Sequence, residues 1–191
     1  LAMSARQTKE TAAANILNRA FNSSFTYGDG VELISASHPN IAGGTWSNMP
    51  SVAADISETA LEQACIDISR YTNDRGLRIA VKPQKIIIPP ELDFVTNKIL
   101  NTEYEVDTNN NTVNVVRGRF SGGVHINHYL TDTDAWFLIT NVTNGMKYFE
   151  RIADTFTMDD DFDTDNAKYK VRARYSFGAS DKRAIYGSAG V

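Results

Sequence analysis

Cysteine is all but missing: Cys65 stands alone among 191 residues. That excludes an internal disulfide framework and any zinc site built from cysteines. Long hydrophobic runs are missing too. Ile86-Ile87-Ile88-Pro89-Pro90 is as long as they become, against the roughly 18 apolar residues a membrane span requires. Basic charge is not in excess. Nineteen Lys and Arg face 23 Asp and Glu, a net charge of −4, so no global positive field recruits nucleic acid. No cationic leader precedes an apolar stretch, which argues against a secretory signal. The first residue is Leu1, which points to a chain that begins partway through something longer. Without an export signal, the Asn-x-Ser/Thr triplets at Asn22, Asn110 and Asn141 read as accidents of an Asn- and Thr-rich composition.

Leu, Ile, Val and Phe supply 45 residues, enough for a packed core. A chain of this length buries about 70% of its unfolded surface, in one domain or two small lobes. Residues 1–27 contain neither Pro nor Gly. Within them Ala13, Ile16, Leu17, Ala20 and Phe21 recur at helical spacing, predicting one long helix over 3–21. Arg6, Lys9, Glu10, Asn15 and Arg19 fall on its other faces. Tyr27-Gly28-Asp29-Gly30 is turn chemistry, 31–34 a short strand, and 40–56 a loop. A second helix is expected over 57–71, with Ser57 or Thr59 as N-cap and Thr59 to Glu62 as a capping box. Its inner face is Leu61, Ala64, Cys65 and Ile68. Strands follow at 77–81 and 85–88. Pro90 then opens a third helix, with Leu92, Val95, Ile99 and Leu100 inward. Thereafter the pattern is β, at 112–116, 124–127, 136–140, 146–152 and 169–175. Asn109-Asn110-Asn111 and Gly122-Gly123 mark turns, and Asn144-Gly145 marks a hairpin between 137–142 and 146–149. The predicted class is α+β.

Reactive constellations are few. His125 and His128 form the one close histidine pair. In a strand, residues three apart face opposite ways, so the two rings are not expected to share a metal. His38 precedes a proline in a turn and has no visible partner. Asp159-Asp160-Asp161-Phe162-Asp163-Thr164-Asp165 opens like a calcium loop. Its sixth place, however, holds Thr164 instead of Gly, and its twelfth holds Lys170 instead of Glu. It reads better as a solvated acidic loop. Lys168, Lys170, Arg172 and Arg174 alternate with Tyr169, Val171, Ala173 and Tyr175, placing four cations on one strand face. That face is a wet surface, or a contact for an acidic neighbour in the same hairpin or in another copy; a phosphate-binding face is a third reading, which the nearby acidic run argues against. Cys65 reads as an inert core thiol. No nucleophile elbow, phosphate loop, dinucleotide fingerprint or His-Glu-x-x-His occurs. No catalytic residue, cofactor or metal site is therefore expected. Two rival readings stand beside this: a hydrolase using the acidic cluster 154–165 with His125 or His128, and a calcium-dependent binding module.

Particular segments resemble a known family. Met3-Ser4-Ala5-Arg6-Gln7-Thr8-Lys9-Glu10-Thr11 with Asn18-Arg19-Ala20-Phe21-Asn22 resembles the long spine helix of a tailed-phage major capsid protein. Gly28-Asp29-Gly30-Val31-Glu32-Leu33 and Ser37-His38-Pro39 resemble the next segment of Mu-like prophage head proteins. Pro83-Gln84-Lys85-Ile86-Ile87-Ile88-Pro89-Pro90-Glu91-Leu92 is similar to their central strand-to-helix junction. His128-Tyr129-Leu130-Thr131-Asp132-Thr133-Asp134-Ala135-Trp136-Phe137, Arg174-Tyr175-Ser176-Phe177-Gly178 and Ile185-Tyr186-Gly187-Ser188 are similar to their C-terminal signatures.

The resemblance implies a Hong Kong 97-type fold. A peripheral domain would comprise 1–55 and 141–191, with the spine helix at about 3–21. An axial α/β domain, 56–140, would be inserted between. The family's N-terminal arm and E-loop have no counterpart here. The implied function is a structural subunit of the virion, with no enzymatic activity. Copies would assemble in the bacterial host cytoplasm into pentamers and hexamers of an icosahedral head. That head encloses double-stranded DNA without sequence-specific binding and involves no membrane. Arg6, Lys9, Arg19, Lys170, Arg172 and Arg174 are the expected polar subunit contacts. Trp136, Tyr148, Phe149 and Tyr175 are the expected core or sheet-packing anchors.

Overall fold

Three consecutive isoleucines locate the core. In a strand, Ile86 and Ile88 must face one way and Ile87 the other, and all three are buried. The strand is therefore covered on both faces. The computed structural model describes residues 1–105, 112–160, 163 and 166–191. Its elements are α1 (Ala2–Asn18), β1 (His38–Pro39), β2 (Thr45–Trp46), α2 (Glu58–Ser69), β3 (Pro83–Ile88), α3 (Asp93–Asn101), β4 (Val124–Ile126), β5 (Trp136–Thr140), β6 (Met146–Asp160), β7 (Ala167–Ala179) and β8 (Ile185–Ser188). The class is α+β. Among the described residues no helix is long and apolar enough to cross a membrane.

The central sheet has the order β4-β3-β5-β8, parallel between β3 and β4 and antiparallel elsewhere. On one face Ile86, Ile88, Trp136, Leu138 and Tyr186 meet Leu61, Ala64 and Ile68 of α2 and Ile99 of α3. On the other, Ile87, Phe137 and Ile185 meet Leu17, Ala20, Leu33 and Ile34. Gly187 permits that second layer to come close: a Cβ there would stand 2.6 Å from Ile34 Cδ1 and 2.8 Å from Phe137 Cδ1. The last strand, β8, lies in the segment expected to be peripheral, 141–191, yet it pairs with β5 from the segment expected to be axial, 56–140.

Three expected strands are not strands. In each case an asparagine side chain takes backbone groups that a neighbouring strand would otherwise satisfy. At 31–34, Asn48 donates to Leu33 O and accepts from Ser35 N–H. At 77–81, Asn73 Oδ1 accepts from Leu77 N–H, and only an isolated bridge joins Thr72 to Arg78. At 112–116, Asn114 accepts from Val116 N–H and donates to Ile99 O, beside a bridge between Tyr104 and Val113. Asn109-Asn110-Asn111, with its Asn-x-Ser/Thr triplet, lies outside the described residues. The cap of α2 is Ser57, whose hydroxyl accepts from Ala60 N–H at 3.2 Å. Thr59 sits inside the first turn, so the box from Thr59 to Glu62 does not form.

The hairpin reading at Asn144-Gly145 needs correction. Asn144 does adopt a positive φ of 65°. But β5 pairs with β3 and β8, whereas β6 pairs with β7 in a separate two-stranded sheet. The turn is instead one side of a hairpin root: Ser180 N–H donates to Gly145 O at 3.0 Å, and Asp181 N–H to Asn144 O at 3.2 Å. From there β6 and β7 run for 15 and 13 residues, roughly 45 Å at about 3.3 Å per residue. Both strands extend well past the expected 146–152 and 169–175.

Candidate assembly surfaces

The first surface is the outer part of α1. Its N-terminal half is exposed almost all round. Burial on α1 is confined to Ala14 and Leu17, with Ala20 just beyond it. The helix ends at Asn18, whose amide donates to Tyr129 O at 3.0 Å and accepts from Thr131 N–H at 3.1 Å. Arg6 lies 4.0 Å from Glu10 in an exposed i,i+4 pair, an arrangement worth only about 0.3–0.5 kcal/mol. Lys9 is drawn inward. Its Nζ lies 2.8 Å from both carboxylate oxygens of Asp154 and 5.5 Å from the Tyr175 ring. The hydrogen bond to Asp154 raises the Lys9 pKa above its ordinary value. Arg19 stacks over Phe25 at 4.4 Å.

The second surface is the hairpin. Lys168, Lys170, Arg172 and Arg174 are all exposed, and Val171, Ala173 and Tyr175 between them are half-buried. Across the strands Lys168 faces Asp159, but Lys170 faces Thr157 and Arg172 faces Thr155. The acidic stretch is thus not the cross-strand complement of the whole cationic row. Among the described residues, Lys170, Arg172 and Arg174 form no ion pair. Near the root, Tyr148, Tyr175 and Phe177 cluster at ring separations of 5.1–6.2 Å. Phe149, expected as an anchor, turns outward and is 57% exposed, whereas Trp136 is fully buried. Further out Phe156, Met158 and Tyr169 are 54–67% exposed.

A buried polar network fixes the root, and nothing in the spacing of its members announces it. His38 is fully buried and stacks on Trp46 at 4.7 Å. Its Nδ1 lies 2.8 Å from Asp29 Oδ2 and its Nε2 3.1 Å from Asn48 Oδ1. Lys182, also buried, reaches Asp29 Oδ1 at 3.1 Å. Burial pushes the Asp29 carboxyl up, but hydrogen bonds from His38 and Lys182 outweigh it and leave the pKa below the ordinary value. Arg183 continues the network: it lies 4.8 Å over Trp46, 2.7 Å from Asp74 and 3.7 Å from Asp181. His38, without a partner in the sequence reading, is thereby the centre of the root.

The rival sites are not assembled in the described residues. β4 ends at Ile126, so His125 and His128 are not opposed within one strand. The chain turns at Asn127, whose side chain accepts from Tyr129 N–H at 3.0 Å. Both residues line one cleft, with Arg6, Glu10 and Tyr129. Burial first, and then Lys85, lowers the His125 pKa. No described carboxylate from 154–165 lines that cleft; Asp154 is held by Lys9, while Asp159 and Asp160 lie in the outer part of β6. Asp161 and Asp165, and with them most of the calcium-like loop, fall outside the described residues. Among the described residues no three His, Cys, Asp or Glu side chains are grouped to hold a metal ion. Cys65 is buried, and burial pushes its thiol pKa up.

A family model described as phage capsid protein matches residues 1–188. No curated protein sequence gives a match. Among solved structures, the virus-like particle from Pyrococcus furiosus is similar at 13% identity and a TM-score of 0.47. The likeness covers 74% of this chain and 55% of that one. The chain thus spans about half the length of that relative.

Proposed function

We propose, since this chain belongs to the phage capsid protein family, that it is the major capsid subunit of a tailed phage or prophage and works by self-association. The β6–β7 ribbon carries this reading. A two-stranded ribbon is marginal in water by itself, and the outer part of this one is exposed on both strands. It bears apolar Phe156, Met158 and Tyr169 beside the cations of β7. Such a surface is stabilised when another copy covers it. Many weak contacts of this kind, closed into a lattice, reinforce one another.

In this reading the fold is of the Hong Kong 97 type. The peripheral domain is 1–55 and 141–191 and the axial domain 56–140, with β8 as the strand that joins them. Copies form pentamers and hexamers in the host cytoplasm, and the finished head encloses double-stranded DNA. A net charge of −4 suits a container that must not adhere to its contents, since phosphate binding demands clustered cations. Arg6, Arg19, Lys170, Arg172 and Arg174 are the proposed polar contacts between subunits. Lys9, held by Asp154, sets the angle between α1 and the ribbon and contributes to contacts indirectly. Negative-stain microscopy of the purified protein tests the reading. Rings or closed shells are the expected result; monomers at every concentration would overturn it.

A further inference from the structure

Phe94 is the most exposed aromatic side chain among the described residues, at 85%. It stands in the first turn of α3, between Glu91 and Asp93 on one side and Lys98 one turn on. Glu91 forms no ion pair among the described residues. Asp93 uses one oxygen to accept from Asn97 at 2.6 Å. The knob is therefore apolar, with an acidic collar.

A cleft of opposite character opens between α2 and residues 115–119. Its volume is about 460 Å³, inside the range of roughly 300–1,000 Å³ for binding pockets. Cys65, Ile66, Val115 and Val116 give it an apolar floor, and Arg70, Arg119 and Glu62 stand around it. Ile66 and Val115 are 46% and 49% exposed, so this floor meets solvent. Arg119 donates from Nε to Val115 O at 2.9 Å. That bond occupies one edge of the guanidinium and leaves the terminal nitrogens for a carboxylate.

We infer that Phe94 of one copy seats in this cleft of the next, with Glu91 and Asp93 meeting Arg119 and Arg70. Phe94, so exposed, does not fill the cleft of its own chain. Knob and hole are different surfaces, so the contact is head-to-tail, the kind that closes into rings when the rotation permits. The inference rests on the self-assembly reading and adds to it a specific interface within a ring.

Sedimentation velocity over a concentration series tests it with wild type, F94E, R119E and the double variant E91R/R119E. A glutamate in the first turn of α3 is favourable to the helix, and an unchanged thermal melt verifies that F94E is folded. Loss of a central aromatic anchor is expected to raise the concentration needed for assembly by roughly tenfold or more. R119E should weaken assembly as well, and E91R should restore it. Wild type and F94E assembling alike would overturn the interface while leaving self-assembly intact. A wild type that stays monomeric throughout would overturn self-assembly itself.

Discussion

Asp29 has two side-chain partners, and neither is its neighbour in sequence. It serves His38 with one oxygen and Lys182 with the other. Removing a partner from such a group costs more than the pair was worth, because a buried charge is left alone. Asp29→Asn should therefore destabilise the fold by about 2–3 kcal/mol, somewhat below a fully buried pair because Asp29 retains some exposure. Chemical denaturation measures it. The pH dependence has a definite sign. The folded pKa lies below the ordinary 3.8, so the stabilisation is present above that value and is lost as pH falls through the lower folded one. Wild type should lose melting temperature in this acid window more steeply than Asp29→Asn does. Sequence located Asp29 in a glycine-flanked turn but could not see its partners. They lie 9 and 153 residues away, and no period connects them. Trp136 was legible because it sits in an apolar run. Phe149 was not, because the pattern around it leaves open which side of the ribbon is covered.

Elements were most legible where burial imposes a period. α2 is the clearest case: Leu61, Ala64, Cys65 and Ile68 are its buried face, as helical spacing requires. Its first turn depends on one hydroxyl, and Ser57→Ala should cost about 1 kcal/mol, read from the thermal melt. Thr59→Ala, which removes no cap, should change little. Alternation failed at 31–34, 77–81 and 112–116. Polar and apolar residues do alternate there in part, but asparagine amides have taken the backbone groups of a ladder. The ribbon failed in the other direction. Its outer part contains Asp154, Thr155, Thr157, Asp159 and Asp160. A strand wet on both sides lacks the alternation that marks a half-buried one, so 153–160 resembles a loop until its register is seen.

At the level of the molecule, the row Lys170, Arg172 and Arg174 has no partner among the described residues and contributes little to folding. Reversing all three to glutamate should leave unfolding energetics within about 0.5 kcal/mol per site. It should nevertheless abolish or sharply weaken assembly, as seen by sedimentation. Assembly of wild type should itself weaken with added salt, which screens exposed charges beyond about 10 Å at 0.1 M. The proposed division into 1–55 with 141–191 and 56–140 rests on loop chemistry and resemblance, neither of which reveals that β8 crosses this proposed boundary to pair with β5. That crossing bears on how a newly made chain matures. Translation delivers the ribbon before the strand that completes the central sheet, since β6 and β7 precede β8. A nascent chain therefore has the whole ribbon before the strand that closes its central sheet has been made. The pairing of β8 with β5 completes the base from which both strands of the ribbon leave.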